Sequence, residues 1–291
     1  MSSRGAAVVT GAGRGLGKEI ARLLVQRGYA VLVTDVDAAT AQASADEIGA
    51  AGWRVVDVRV EAQVREARDA ALVGSGQIDV WVNNAGVLFT GPAWEQTEEQ
   101  RRLMLEVNAL GAINGTLAAI DSMRGVGGGT GHIINIVSLA GLTAVPGEAV
   151  YAASKHAAIG FSLSTLADLR LAGVEGIDIS CVCPDGIWTP MLHDKLDDPE
   201  AALSFSGKLL QPEEVVTAVG RVLDRPRPVT ALPGWRGLQV RFGDVFPRVQ
   251  LLLTPMLVQQ GRRAQRKFLA KGVRSRTNAD AARQNVGSSR S

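Results

Sequence analysis

Short apolar runs alternate with amphipathic stretches along most of the chain, and that alternation limits it to few architectures. Residues 6–10 (Ala-Ala-Val-Val-Thr) and 30–34 (Ala-Val-Leu-Val-Thr) are apolar runs of strand length. Between them, across 18–27, Ile20, Leu23 and Leu24 recur at helical spacing. Strands apolar on both faces need cover on both sides, which a parallel sheet between two helix layers supplies. Strand runs follow at 54–58, 80–83, 132–137, 178–183 and 228–232, with helical stretches at 61–73, 97–124, 151–172 and 212–223. The expected fold class is α/β, a doubly wound parallel sheet with helices on both faces.

The chain of 291 residues accommodates one such domain, 1–232, followed by an apolar and basic extension, 233–274, and an expected disordered tail, 275–291. Hydrophobic residues at 46% and charged ones at 21% exclude a wholly disordered or fibrous chain. Two cysteines, Cys181 and Cys183, exclude a disulfide framework or a four-cysteine zinc site and read as buried small hydrophobes. His132, His156 and His193 are not spaced as metal ligands, so no metal is expected. The N-terminal residues run straight into a strand without a secretory leader pattern, and the expected location is cytoplasmic.

The net charge of +2 hides an asymmetry. Residues 225–291 hold 14 Lys/Arg against 2 Asp/Glu, leaving 17 against 27 in the rest, so the tail carries +12 and the body −10. A basic tail with the apolar clusters Leu251, Leu252, Leu253 and Met256, Leu257 suits peripheral contact with an anionic membrane, packing on the acidic body, or simple exposure. Pro233, Gly234, Gly237, Gly243, Pro247 and Pro255 are expected to break any helix there. Nucleic acid is not an expected partner, because the basic residues lack interleaved aromatics.

The first strand leads into Thr10-Gly11-Ala12-Gly13-Arg14-Gly15-Leu16-Gly17, and a helix follows. Glycines in that context let backbone amides and a helix N-terminus approach a pyrophosphate. Asp35 ends the second strand, where a carboxylate can bind a ribose 2′-hydroxyl and repel a 2′-phosphate, favouring NAD over NADP. Arg14, a basic residue inside the turn, pulls the other way. Tyr151 and Lys155 stand four apart on a predicted helix, hence on one face. A neighbouring ammonium is expected to lower the tyrosine pKa and make it an acid/base. Ser138 follows a strand at the carboxyl edge of the sheet, where its hydroxyl can hold a substrate oxygen.

These motifs, with Asp57, Asn83-Asn84-Ala85-Gly86, Asn108, and Pro184 with Thr189, resemble the short-chain dehydrogenase/reductases in content and order over residues 5 to about 232. The glycine spacing resembles that family's short, single-Rossmann-domain form. The resemblance implies that Tyr151 exchanges the proton, Lys155 binds the nicotinamide ribose, Ser138 orients the carbonyl or carbinol, and Asn108 anchors a proton-relay water. It implies cofactor contacts at Gly11, Arg14, Gly15, Leu16, Gly17 and Asp35 in the first half of the site. Asp57 and Val58 would face the adenine, Asn84, Ala85 and Gly86 would support the sheet and cofactor, and Pro184, Ile187 and Thr189 would meet the carboxamide. It also implies a homodimer or homotetramer paired through the helices that include 103–120 and 151–171. Asp185 departs from the family's common Pro-Gly and brings an extra carboxylate to that turn.

By the same resemblance, the substrate pocket includes Ser138, Leu139, Val145, Trp188, Met191 and Leu192, with Glu148 as its polar exception or as a surface charge opening the helix. An apolar wall favours a hydrophobic secondary alcohol or its ketone. The expectation is an NAD-dependent oxidoreductase; an NADPH-dependent carbonyl or ketoacyl reductase and a non-catalytic dinucleotide-sensing scaffold remain alternatives.

Overall fold

The computed structural model describes residues 4–125 and 128–288, with side chains beyond residue 270 outside that description. Seven strands, β1 (Ala6–Thr10), β2 (Ala30–Asp35), β3 (Gly52–Val55), β4 (Ile78–Asn83), β5 (Gly131–Ile136), β6 (Ile177–Pro184) and β7 (Val229–Leu232), form one sheet. It is parallel throughout, in the order β3-β2-β1-β4-β5-β6-β7. The winding direction reverses between β1 and β4, and the carboxyl ends of these strands open the crevice where such sheets bind ligands.

The connecting helices are α1 (Gly15–Gln26), α2 (Ala38–Ile48), α3 (Glu61–Ser75), α4 (Glu98–Leu105), α5 (Gly111–Gly125), α6 (Ala149–Leu171), α7 (Pro190–His193) and α8 (Pro212–Asp224). One core lies between the sheet and α1, α2 and α8, and includes Ile20, Leu24, Ile48, Val215 and Val219. The opposite core joins the sheet to α3, α5 and α6 through Val64, Trp81, Ala119, Met123 and Leu169. Ile20 and Leu24 are fully buried on one stripe of α1, each contributing about 1.5–3 kcal/mol of transfer free energy.

Three local expectations are corrected. Helix α2 went unrecognised because its Ala-rich sequence has little apolar periodicity; Asp37 caps it by accepting from the Thr40 amide at 2.8 Å. Strand β3 lies two to three residues earlier than expected, because Asp57 and Val60 already turn the chain into α3. The region past Pro233, expected to be broken by Pro and Gly, instead forms α9 (Gly234–Val245) and α10 (Pro247–Ser288), with Pro255 inside the latter. Its glycines permit close approach. A Cβ on Gly237 would stand 2.3 Å from the Ala231 Cβ, and one on Gly261 would stand 1.9 Å from the Ala202 carbonyl oxygen. Of the expected disordered tail, the backbone of 275–288 belongs to α10, and 289–291 lie outside the described residues.

Cys181 and Cys183, two apart on β6, share one face and are buried with Val137, Leu139 and Ile159. His132 is buried with its Nε2 2.9 Å from the Ser180 hydroxyl.

Candidate active site

The glycine turn is shaped by backbone requirements at two positions. Gly11 and Gly15 hold φ of 61° and 58°, the left-handed region, and a Cβ on Gly11 would stand 2.7 Å from the Ala85 Cα. Asn84 fixes the turn from β4, its Nδ2 donating to the carbonyls of Thr10 (3.0 Å) and Gly11 (2.9 Å). Arg14 precedes α1 without a side-chain cap, so the first-turn amides of the helix stay available to an anion. Gly17 is corrected from a cofactor contact to a packing position: it is buried, and a Cβ there would collide with the Gly11 carbonyl oxygen at 2.3 Å.

A single cavity of about 870 Å³ runs from this turn to the carboxyl ends of β5 and β6. At its first end, Asp35 accepts from the Gly13 amide at 2.9 Å and faces the cavity, whereas Asp37 is committed to capping α2. Asp57 is paired with Arg59 at 2.6 Å, which holds its carboxyl below the usual range. Arg14, Gly15, Leu16, Val58, Ala85, Gly86, Pro184, Ile187 and Thr189, all expected at the cofactor, line the same cavity.

At the other end, Ser138 and Tyr151 meet. Ser138 accepts from the Ala140 amide at 3.1 Å and shares the cavity with the Tyr151 phenol. Lys155, one turn along α6, is buried, donates to the Ile136 carbonyl at 3.2 Å, and lies 5.6 Å from the centre of the Tyr151 ring. Burial lowers its pKa to about 8. The tyrosine shift is opposite to the expected one. Burial, reinforced by the charge of Glu148, pushes the phenol up, and only the neighbouring Ser138 hydroxyl pulls it down. In the protein without cofactor, Tyr151 is therefore a protonated donor at neutral pH.

Asn108 sits in a π-helical turn, Glu106–Leu110, between α4 and α5. Its Oδ1 accepts from the Val87 amide at 2.8 Å, while its Nδ2 donates to the Val87 carbonyl at 2.9 Å and to the Ser154 hydroxyl at 3.0 Å. It is buried behind the cavity wall, with Gly86 between it and Lys155.

Of the expected substrate residues, Leu139, Val145, Met191 and Leu192 line the cavity. Trp188 does not: its ring packs 4.2 Å from His193 and 5.3 Å from Phe268, drawn into a separate apolar cluster with α10. Glu148 is resolved as a cavity carboxyl and not a surface charge. It is 3% exposed and takes a hydrogen bond from Ser204, and burial raises its pKa to about 7.

Sequence reasoning missed the roof of the site. Helices α9 and α10 close the cavity with Arg236, Val240, Phe242, Gln250 and Leu253. Gln250 ties the roof to the loop before α6, donating to Thr143 Oγ1 at 2.9 Å. Gln265, also buried, ties α10 to the turn after α7 through the Asp198 carbonyl at 2.8 Å. The unusual Asp185 belongs to this arrangement, because its carboxylate accepts from Arg236 of α9 at 3.1 Å and from the Gly186 amide at 3.0 Å. The extra charge expected at the turn is thus matched by an arginine that the extension supplies. The leucine cluster at 251–257 was the sequence signal, but nothing local indicated which surface it covered.

The residues fit a dinucleotide: two left-handed glycines, an uncapped helix N-terminus and a ribose-side carboxylate share one cavity with the Tyr151 group. Comparison with known proteins agrees. The family model described as short chain dehydrogenase matches residues 5–200. The chain is 33% identical over 218 residues to carbonyl reductase family member 4 of Xenopus tropicalis, covering 75% of this chain and 90% of that protein. It is 33% identical over 221 residues to cyclopentanol dehydrogenase of Comamonas testosteroni, covering 73% and 86%. Sex determination protein tasselseed-2 of Zea mays is 37% identical over 198 residues, which are 64% of this chain and 56% of the maize protein. A crystal structure of a short chain dehydrogenase/reductase from Burkholderia phymatum in complex with NAD superposes with a TM-score of 0.74 at 27% identity, covering 85% of this chain and 95% of that one.

Proposed function

Within the short-chain dehydrogenase/reductase family, to which this chain belongs, we propose that it interconverts a hydrophobic secondary alcohol and its ketone with NAD as cofactor. The observation that carries this reading is the Ser138–Tyr151 pair, set in the same cavity as the glycine turn and under a roof of apolar side chains. Two relatives bear names in the same chemical class, a cyclopentanol dehydrogenase and a carbonyl reductase.

When bound, the nicotinamide supplies the hydride acceptor or donor. The turn at Gly11 and Gly15, with the open start of α1, would hold the pyrophosphate, and Asp35 would hold the adenosine ribose and reject a 2′-phosphate. Tyr151 gives its phenolic proton to the carbonyl oxygen in reduction and takes the carbinol proton in oxidation. Ser138 orients that oxygen and donates to the phenolate. The buried Lys155 ammonium, 5.6 Å from the ring centre, stabilises the phenolate electrostatically. Oxidation therefore requires a proton to leave a phenol that burial holds neutral, and it should accelerate with rising pH. Apolar residues such as Leu139, Val145 and Leu253 exclude water and select a lipophilic substrate. The exposed side chains Leu105, Leu110, Leu117 and Leu163 on the α4–α6 face suit pairing with a second copy.

The test follows formation of NADH from NAD, and of NADPH from NADP in parallel, over a series of secondary alcohols from small acyclic to polycyclic carbinols. Rising kcat/KM with apolar size and a preference for NAD support the reading; activity confined to small polar alcohols, or to NADP, overturns it.

A further inference from the structure

Ten of the 22 large hydrophobic side chains exposed among the described residues fall within 235–256. On α9, Trp235, Leu238, Phe242 and Val245 recur at helical spacing and are 60–74% exposed, while Arg236, Gly237 and Val240 of the same helix face the body. On α10, Leu251, Leu252 and Met256 are exposed, while Gly261, Gln265 and Phe268 bind the helix to the domain. The two helices therefore present one outward apolar face and use their other sides to hold it rigidly in place. Such a face in water is unfavourable unless something covers it.

The charge around it identifies the cover. Arg241, Arg248, Arg263, Arg266 and Lys267 are exposed and make no ion pair among the described residues, and Asp244 is the one acid in 234–270. A second copy laid on this face would set arginine against arginine. A sheet of anionic lipid satisfies both the apolar side chains and the cations. The geometry points to docking of the α9–α10 face on an anionic bilayer, with Leu238 and Leu252 entering the headgroup boundary and the arginines meeting lipid phosphates and carboxylates. The contact is interfacial. Among the described residues, the one helix long and apolar enough to span a bilayer, Glu98–Gly125, is 56% buried over its most apolar window and packs on the sheet.

The docked face coincides with the mouth of the catalytic cavity. Phe242, Phe246, Val249 and Leu253 are exposed at the surface and line the cavity at once, so the opening lies within the apolar patch. A lipophilic alcohol dissolved in the bilayer would reach Tyr151 without crossing bulk water, a route that rests on the oxidoreductase reading, whereas docking does not.

The experiment sediments full-length protein with sucrose-loaded vesicles of phosphatidylcholine alone or with one-fifth phosphatidylserine. Two variants accompany it, Leu238→Asp/Leu252→Asp and Arg263→Glu/Arg266→Glu, and none of these four residues lines the cavity. NADH binding verifies the fold of each. The wild type should bind the phosphatidylserine vesicles at least tenfold more tightly than the neutral ones. Each arginine near the surface accounts for about fivefold, and about 1 M salt, where the Debye length is about 3 Å, should abolish the preference. Both variants should lose at least tenfold while still binding NADH. Equal sedimentation with both vesicle types overturns the proposal, as does unchanged binding by Leu238→Asp/Leu252→Asp. A wild-type dimer that this variant splits would assign the face to a second copy and overturn it too. With docking established, vesicles that raise kcat/KM for a membrane-dissolved alcohol support the entry route, and vesicles without effect refute the route alone.

Discussion

Replacing Glu148 with glutamine should make the protein more stable at pH 8 and much less so at pH 5. The carboxyl is 3% exposed beside Tyr151, takes a hydrogen bond from Ser204, and has Asp185 and Asp198 as further negative neighbours. Its pKa rises from 4.5 to about 7, chiefly by burial. A folded-state value above the unfolded one means that the native protein binds the extra proton between those pH values. The stability it confers is complete below about pH 4.5 and is lost as pH rises through about 7. The full loss corresponds to about 3 kcal/mol, at 1.36 kcal/mol per pH unit. Glutamine keeps the size and an acceptor for Ser204 but cannot ionise. Urea unfolding of wild type and Glu148→Gln without cofactor, at pH 5 and pH 8, measures the difference directly, and other titrating groups cancel between the two proteins. The expected gap is about 1 kcal/mol at pH 5, which already lies above the unfolded pKa of 4.5, and about 3 kcal/mol in favour of the variant at pH 8. Parallel stability curves across that range would mean that Glu148 ionises as freely in the native protein as in the unfolded chain.

Further outcomes follow from the same geometry. Asp35→Asn preserves an acceptor for the Gly13 amide while removing the charge; tryptophan-fluorescence titration should show the NADH-over-NADPH preference falling about tenfold, a difference of about 1.4 kcal/mol. Arg236→Ala leaves Asp185 buried without its partner, the two side chains being 14% and 12% exposed, and should cost about 3 kcal/mol in denaturant unfolding. Adding Asp185→Asn should restore most of that loss. Gly261→Ala places a methyl group against the Ala202 carbonyl and should cost about 2 kcal/mol, with faster proteolytic cleavage of α10 as the readout.

The sheet was legible because its strands are largely apolar and the helices between them are periodic; Ile20, Leu23 and Leu24 mark the buried face of α1, although its first turn, from Gly15, lay inside the glycine motif. Helix α2 was hidden by alanine, which favours helix without marking a face. The site residues were legible where a backbone demand leaves a mark, as at Gly11 and Gly15, or where two reactive side chains share a helix face, as Tyr151 and Lys155 do. Residues whose role depends on a distant partner were not. Trp188 read as pocket wall until Phe268 drew it elsewhere, and Asp185 read as an anomaly until Arg236 accounted for it. The direction of the Tyr151 shift also depends on burial, which a four-residue spacing does not report. In the extension, Gly237 read as a helix breaker because nothing in the local pattern shows that it lets α9 pack against Ala231 of β7.

In the proposed mechanism Tyr151 exchanges the proton while the rest of the cavity binds cofactor and substrate. Single-turnover formation of NADH from a hydrophobic secondary alcohol, measured for wild type and Tyr151→Phe with NADH binding titrated on the same preparations, tests it most directly. The rate should fall by about 10³ with NADH affinity within about twofold of wild type, because the phenylalanine fills the same volume. A variant that binds NADH and turns over the alcohol at the wild-type rate would contradict it.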